Sequence, residues 1–164
     1  MPFTPFHMGP GLLIKSVLRG AFSLMVFGWA QIIMDIQPLL VMLTGDGHLH
    51  GFSHTYLGAS LLAVLAAVTG KPLAAIGLKI LRVTPERKTI TWPIAFVSAA
   101  IGSYSHVFLD SIMHADVQPW FPFRMGNPLL GLLSYDAIHW FCLGTALLGI
   151  ALYVLVSFWR DRNP

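Results

Sequence analysis

Charged side chains are scarce in this chain. They make up 10% of its 164 residues, while apolar residues make up 55%. A soluble domain carries roughly 25% charged residues, so the deficit excludes a mostly water-facing surface. Cysteine is scarcer still. Cys142 stands alone, which excludes an intramolecular disulfide and a thiolate zinc knuckle. A basic stripe interleaved with aromatics is also missing, so the formal charge of +3 gives no support to nucleic-acid binding. The opening residues, Met1 to Phe6, lack the basic region and small-residue cleavage site of a secretory signal. Insertion through the chain's own helices is the expectation. The length suits one membrane-embedded domain, residues 1–164.

What the chain has is long apolar runs. Four stand out: Ala21 to Leu43, Thr55 to Gly70, Thr91 to at least Asp110, and Ala137 to Phe158. Each is near the length a helix needs to cross hydrocarbon. The second run is predicted to stop at Gly70-Lys71-Pro72, and Leu73 to Val83 to form a short interfacial helix. The third opens on Thr91-Trp92-Pro93, a cap with proline in the first turn. The expected fold is all-α, a polytopic bundle of four long helices plus a short N-terminal one. Membrane lipids are its expected surroundings.

Basic residues orient the bundle. Lys71, Lys79, Arg82, Arg87 and Lys88 lie between runs two and three, and Arg160 and Arg162 follow run four. The opposite loops, Thr44 to His54 and Ala115 to Tyr135, contain only Arg124. Positive charge marks the cytoplasmic side, which puts the C-terminus there. Gly9 to Arg19 fits either a helix lying on the cytoplasmic surface or a short helix turning at Arg19-Gly20 into the first span. Helix rise favours the second. At about 1.5 Å per residue, Arg19 back to His7 is roughly 18 Å and Ala21 to Asp35 roughly 21 Å, so a hairpin brings His7 and Asp35 to similar depth.

Ionisable groups within a bilayer are costly, so their positions carry information. In this topology His48, His50, His54, His106, His114 and His139 fall toward the non-cytoplasmic side, as do Asp35, Asp46, Asp110, Asp116 and Asp136. His106, Asp110 and His114 follow i, i+4, i+8 spacing along one helical face. Such a row can ligate a cation, or it can be a buried His–Asp hydrogen bond joining helices. His50 and His54 bracket Gly51 just before a long helix that Ser53 could cap. His48 reads as incidental. Asp35, within an apolar run, needs a cation, a donor or a proton. Asp136 and His139, at i, i+3, form a second-tier pair. Gln118 to Phe123 is a rigid aromatic loop, an interfacial belt or a lid. Gly58-Ala59-Ser60 allows close helix packing.

Several motifs together resemble a known group. These are Phe6-His7-Met8-Gly9, Asp35-Ile36-Gln37-Pro38, His50-Gly51-Phe52-Ser53-His54-Thr55, Ser105-His106 through Asp110, and the proline-containing loop Gln118 to Pro122. Over roughly Thr4 to Pro122 the chain resembles the bacterial inner-membrane family of metal-dependent hydrolases, which includes LexA-binding, inner-membrane-associated members. Its His/Asp pattern echoes zinc-dependent phospholipase C. The chain departs from the pattern twice. Gln37 and Pro38 replace the second aspartate and the histidine of Asp-x-Asp-His, and Gly51 replaces the arginine after the first loop histidine.

The resemblance implies a divalent metal, zinc above all, held by His7, Asp35, His54, His106 and Asp110. A hydrolase reading built on it takes His50 and His114 as acid–base groups or further ligands and an ester or phosphoester as substrate, with a lipid suggested by location alone. Two other classes stay open. A metal or proton transporter would need polar groups continuing to the cytoplasmic side. A haem-binding or scaffold bundle would need two facing histidines, a role His54 and His106 could fill.

Overall fold

A computed structural model describes residues 6–82 and 89–162. Among them the regular structure is entirely helical: α1 (Met8–Leu18), α2 (Leu24–Thr44), α3 (Tyr56–Ile80), α4 (Trp92–Met113) and α5 (Tyr135–Arg162). Helices α2 to α5 are each long and apolar enough to span a membrane, and the chain is a multi-pass membrane protein. Val83, Arg87 and Lys88 lie outside the described residues.

Consecutive helices run antiparallel, so the bundle has a histidine end and a basic end. Helix α1 descends from His7, turns through a 3-10 segment at Arg19–Ala21, and α2 climbs back. The hairpin is therefore present. Lys15 stitches its turn, with Nζ donating to the carbonyls of Arg19 and Phe22, each at 2.7 Å. Ser23 starts α2 by accepting a hydrogen bond from the Val26 amide at 3.3 Å. Against α5, Gly9 lies so close to the Cys142 carbonyl that any side chain would clash. That approach fixes where His7, two residues earlier, begins the helix.

The core forms between α2, α3 and α4. Val26, Ala30 and Ile33 pack against Ala66, Ala67 and Ala74, with Ala95 and Ala99 closing the cluster. Nearer the histidine end, Ala59 sits between Met34 and Val107, which is the close packing expected of Gly58-Ala59-Ser60. Outward-facing leucines and valines, such as Leu61, Val64 and Leu147, stay exposed, as lipid contact requires.

One sequence expectation is corrected. Gly70-Lys71-Pro72 does not end the second helix, and Leu73 onward is no separate interfacial helix: α3 continues through Pro72 to Ile80. The reason is packing on both sides of the proline. Ala66 and Ala67 before it and Ala74 after it belong to one core cluster against α2. The Trp29 indole also donates to Thr69 Oγ1 at 2.8 Å. A proline removes one backbone bond, but hydrocarbon offers no competing partner that would reward unwinding. A second correction concerns the start of α3. Thr55, not Ser53, is the cap, its Oγ1 accepting from the Gly58 amide at 2.9 Å.

Candidate metal centre

Four chain segments meet at the histidine end. Helix α2 supplies Asp35, and α4 supplies His106 and Asp110. The loop after α2 folds back to bring His50 and His54 down. The residue preceding α1 supplies His7. The loop descends because Gln37 holds it: Gln37 Oε1 accepts from the Ser53 amide at 3.0 Å, and its Nε2 donates to the His48 carbonyl at 3.4 Å. Gly51 sits directly against the Gln37 amide, where a side chain would collide. Gly51 thus leaves the space that the Gln37 amide fills.

Asp110 is the hub. Its Oδ2 lies 3.1 Å from His106 Nε2 and 3.3 Å from His54 Nε2. Its Oδ1 lies 3.5 Å from His7 Nε2 and 3.9 Å from His114 Nε2. His106 Nε2 is also 3.3 Å from Asp35 Oδ1 and 3.3 Å from His54 Nε2. His7, His54, His106 and Asp110 are buried, while the Asp35 side chain keeps 35% of its surface open.

These contacts fit a cation better than a set of hydrogen bonds. His106 Nδ1 lies 2.6 Å from Gln31 Oε1. Gln31 turns its oxygen that way because its Nε2 donates to the Gly102 carbonyl at 3.1 Å. His106 Nδ1 therefore carries the proton, and in the neutral ring Nε2 presents a lone pair to two carboxylates and to His54 Nε2. A cation satisfies these facing lone pairs together. For tetrahedral zinc, bonds of about 2.0–2.1 Å imply ligand–ligand edges of about 3.3 Å, and the His54–His106–Asp110 triangle has edges of 3.3, 3.1 and 3.3 Å. His7 supplies a second observation, since both its ring nitrogens are buried without a hydrogen-bond partner among the described residues. Burial pushes His7 down to about 4 and also lowers His54 and His114. Neutral imidazole is the form that ligates metal.

A flank opens beside this core. His50 Nδ1 lies 2.9 Å from both oxygens of Asp116, an N–H donated to a carboxylate, which aims Nε2 at the centre. Partial burial pushes the Asp116 carboxyl up, but the His50 hydrogen bond, the His50 charge and backbone hydrogen bonds together outweigh it, and the net shift is downward. His50 stacks on His114, with ring centroids 4.4 Å apart. His114 reaches this place off the helix. Helix α4 ends at Met113 and His114 has extended backbone, φ −115°, so the i+8 row along one helical face is corrected at its last member. Asn127 Nδ2 ties that segment down, donating to the Ser111 and His114 carbonyls at 2.7 and 3.1 Å.

The structure therefore brings together His7, Asp35, His54, His106 and Asp110, with His50 and His114 alongside. His48 and Asp136 are exposed, and His139 Nδ1 donates to the Tyr135 carbonyl at 2.8 Å, away from the cluster. Residue-by-residue reading missed Gln31 and Asp116 as supporting groups. A signal for the first existed in the sequence: Gln31 and Asp35 are four apart, hence on one face of α2. His54 and His106 do not face each other across a macrocycle, because Asp110 Oδ2 contacts both Nε2 atoms and leaves no room for haem between them. The chain matches no family model, no curated protein and no solved structure.

Proposed function

We propose that this protein is a membrane-bound metal-dependent hydrolase of the bacterial inner membrane, acting on an ester or phosphoester at its non-cytoplasmic face. The observation that carries the reading is the His54–His106–Asp110 triangle with edges of 3.1–3.3 Å. His54, His106, Asp110 and Asp35 would hold one divalent ion, zinc by the character of the donors, with His7 completing the set. When bound, such an ion polarises a carbonyl or phosphoryl oxygen.

The protein's own groups supply the proton chemistry. His50 Nε2 takes a proton from the attacking water, and Asp116 stabilises the imidazolium, as a carboxylate does behind a catalytic histidine. The water oxygen ends on the acyl or phosphoryl group. His50 returns the proton to the leaving oxygen, and His114, stacked on it, hydrogen-bonds the departing group. The motif resemblance from His7 to Pro122 agrees with this chemistry. The basic residues Lys71, Lys79, Arg82, Arg160 and Arg162 support a cytoplasmic basic end. Between the site and that end, Val26, Ala30, Ala66 and Ala99 fill the bundle, which favours an enzyme over a transport path. A lipid is the substrate class that a site near the membrane face favours.

The test is elemental analysis of the purified protein beside hydrolysis of phosphodiester and carboxylester probes. The reading predicts about one metal per chain, loss of hydrolysis on chelation, and loss of metal in both His106→Ala and Asp110→Ala while each still inserts. Full metal content in both variants, or hydrolysis unaffected by chelation, overturns it.

A further inference from the structure

The basic end carries a second polar site that the hydrolase reading does not use. A cleft of about 640 Å³ opens where the α1–α2 turn meets α5, the starts of α2 and α4 and the end of α3. Lys15, Arg19 and Arg160 line it, and so does Asp161. Met25, Leu78 and Ile94, from α2, α3 and α4, also line it. Among the described residues no carboxylate lies within ion-pairing distance of any of the three cations.

Two of the cations are held in place. Lys15 Nζ spends two of its three donors on the Arg19 and Phe22 carbonyls. The Arg19 guanidinium lies over the Tyr153 ring at 5.0 Å and donates to the Tyr153 carbonyl at 3.2 Å. Each keeps donors to spare, Arg19 having five in all. Preorganised donors without a counter-charge, half removed from water, are a site for an oxyanion. The apolar lining decides which one, because free phosphate leaves Met25, Leu78 and Ile94 uncovered while a lipid covers cations and apolar side chains together. Basic pockets between membrane helices take anionic headgroups in this way.

We propose that this cleft binds an anionic phospholipid, its phosphate between Lys15, Arg19 and Arg160 and an acyl chain along Met25, Leu78 and Ile94. The lipid would clamp the α1–α2 turn to α5, and so hold α1 in the position that carries His7. The inference does not depend on the hydrolase reading.

The experiment uses the full chain in neutral detergent, with lipid binding read by native mass spectrometry and by thermal unfolding. Phosphatidylglycerol, phosphatidylcholine and inorganic phosphate are the probes. Phosphatidylglycerol should bind and raise the unfolding temperature, while phosphatidylcholine and inorganic phosphate leave it unchanged. Lys15 and Arg19 also build the turn, so the informative variant is Arg160→Gln, on the exposed last turn of α5. It should keep wild-type circular dichroism and weaken phosphatidylglycerol binding about five-fold, the factor that ~1 kcal/mol per basic residue corresponds to. Unchanged affinity in that variant, or equal binding of phosphatidylcholine, overturns the proposal. A shift from inorganic phosphate matching that from phosphatidylglycerol overturns the lipid as occupant.

Discussion

Gln31 of α2 and His106 of α4, 75 positions apart, share the shortest side-chain contact of the candidate centre, Oε1 to Nδ1 at 2.6 Å. The amide fixes which ring nitrogen carries the proton and leaves Nε2 to face Asp35, His54 and Asp110. Partners of this kind are worth roughly 10–100-fold in metal affinity. Gln31→Leu should therefore weaken zinc binding by about that factor, read by competition with a calibrated chelator, with helix content unchanged. Gln31→Glu, which restores an acceptor, should recover most of the loss. Equal affinity in wild type and Gln31→Leu would remove Gln31 from the site.

The His50–Asp116 pair lies beside the ligand triangle, so its loss should separate catalysis from metal binding. General-base groups contribute roughly 10²–10⁴-fold. His50→Ala should lower kcat within that range while metal content stays near wild type. Asp116→Asn should lower it less, because the amide still holds the ring but no longer stabilises its charge. A parallel fall of metal content and kcat in His50→Ala would make His50 a ligand instead.

Topology gives an independent check. In a Cys142→Ser background, Arg82→Cys should resist an impermeant thiol reagent in intact cells, and His48→Cys, on an exposed loop, should react. The reverse pattern would invert the orientation and put the histidine cluster on the cytoplasmic face.

The sequence made the centre legible where local geometry alone brings groups together. One turn of helix places Asp110 beneath His106, and equal helix rise carries His7 to the level of Asp35. Where the answer depended on a neighbour, the sequence was silent. Pro72 does not end α3 because α2 grips the helix on both sides of it. His114 keeps its contact with Asp110 after α4 has ended because Asn127 ties the extended segment down and His50 stacks on the ring. Asp116 gains its role from a loop that Gln37 pulls back into place. Each of these depends on a tertiary approach between segments distant in sequence, which periodicity does not encode.

His7 offers the sharpest discrimination, because the two roles open to it predict opposite signs. Its ring is buried, its Nε2 lies 3.5 Å from Asp110 Oδ1, and its centroid is 4.6 Å from that of His106. Neither nitrogen has a hydrogen-bond partner among the described residues, and an unsatisfied buried polar group costs about 1–3 kcal/mol. A ligand can bear that cost in the metal-free protein, since binding recovers it. A purely structural histidine has no such return and would have to contribute through packing. His7→Leu should therefore lower zinc affinity at least ten-fold and raise the unfolding temperature of the metal-free protein. Chelator competition reads the first effect, and a thermal scan in detergent with excess chelator reads the second. Unchanged metal affinity together with a lower unfolding temperature would make His7 a packing residue and reduce the candidate centre by one imidazole.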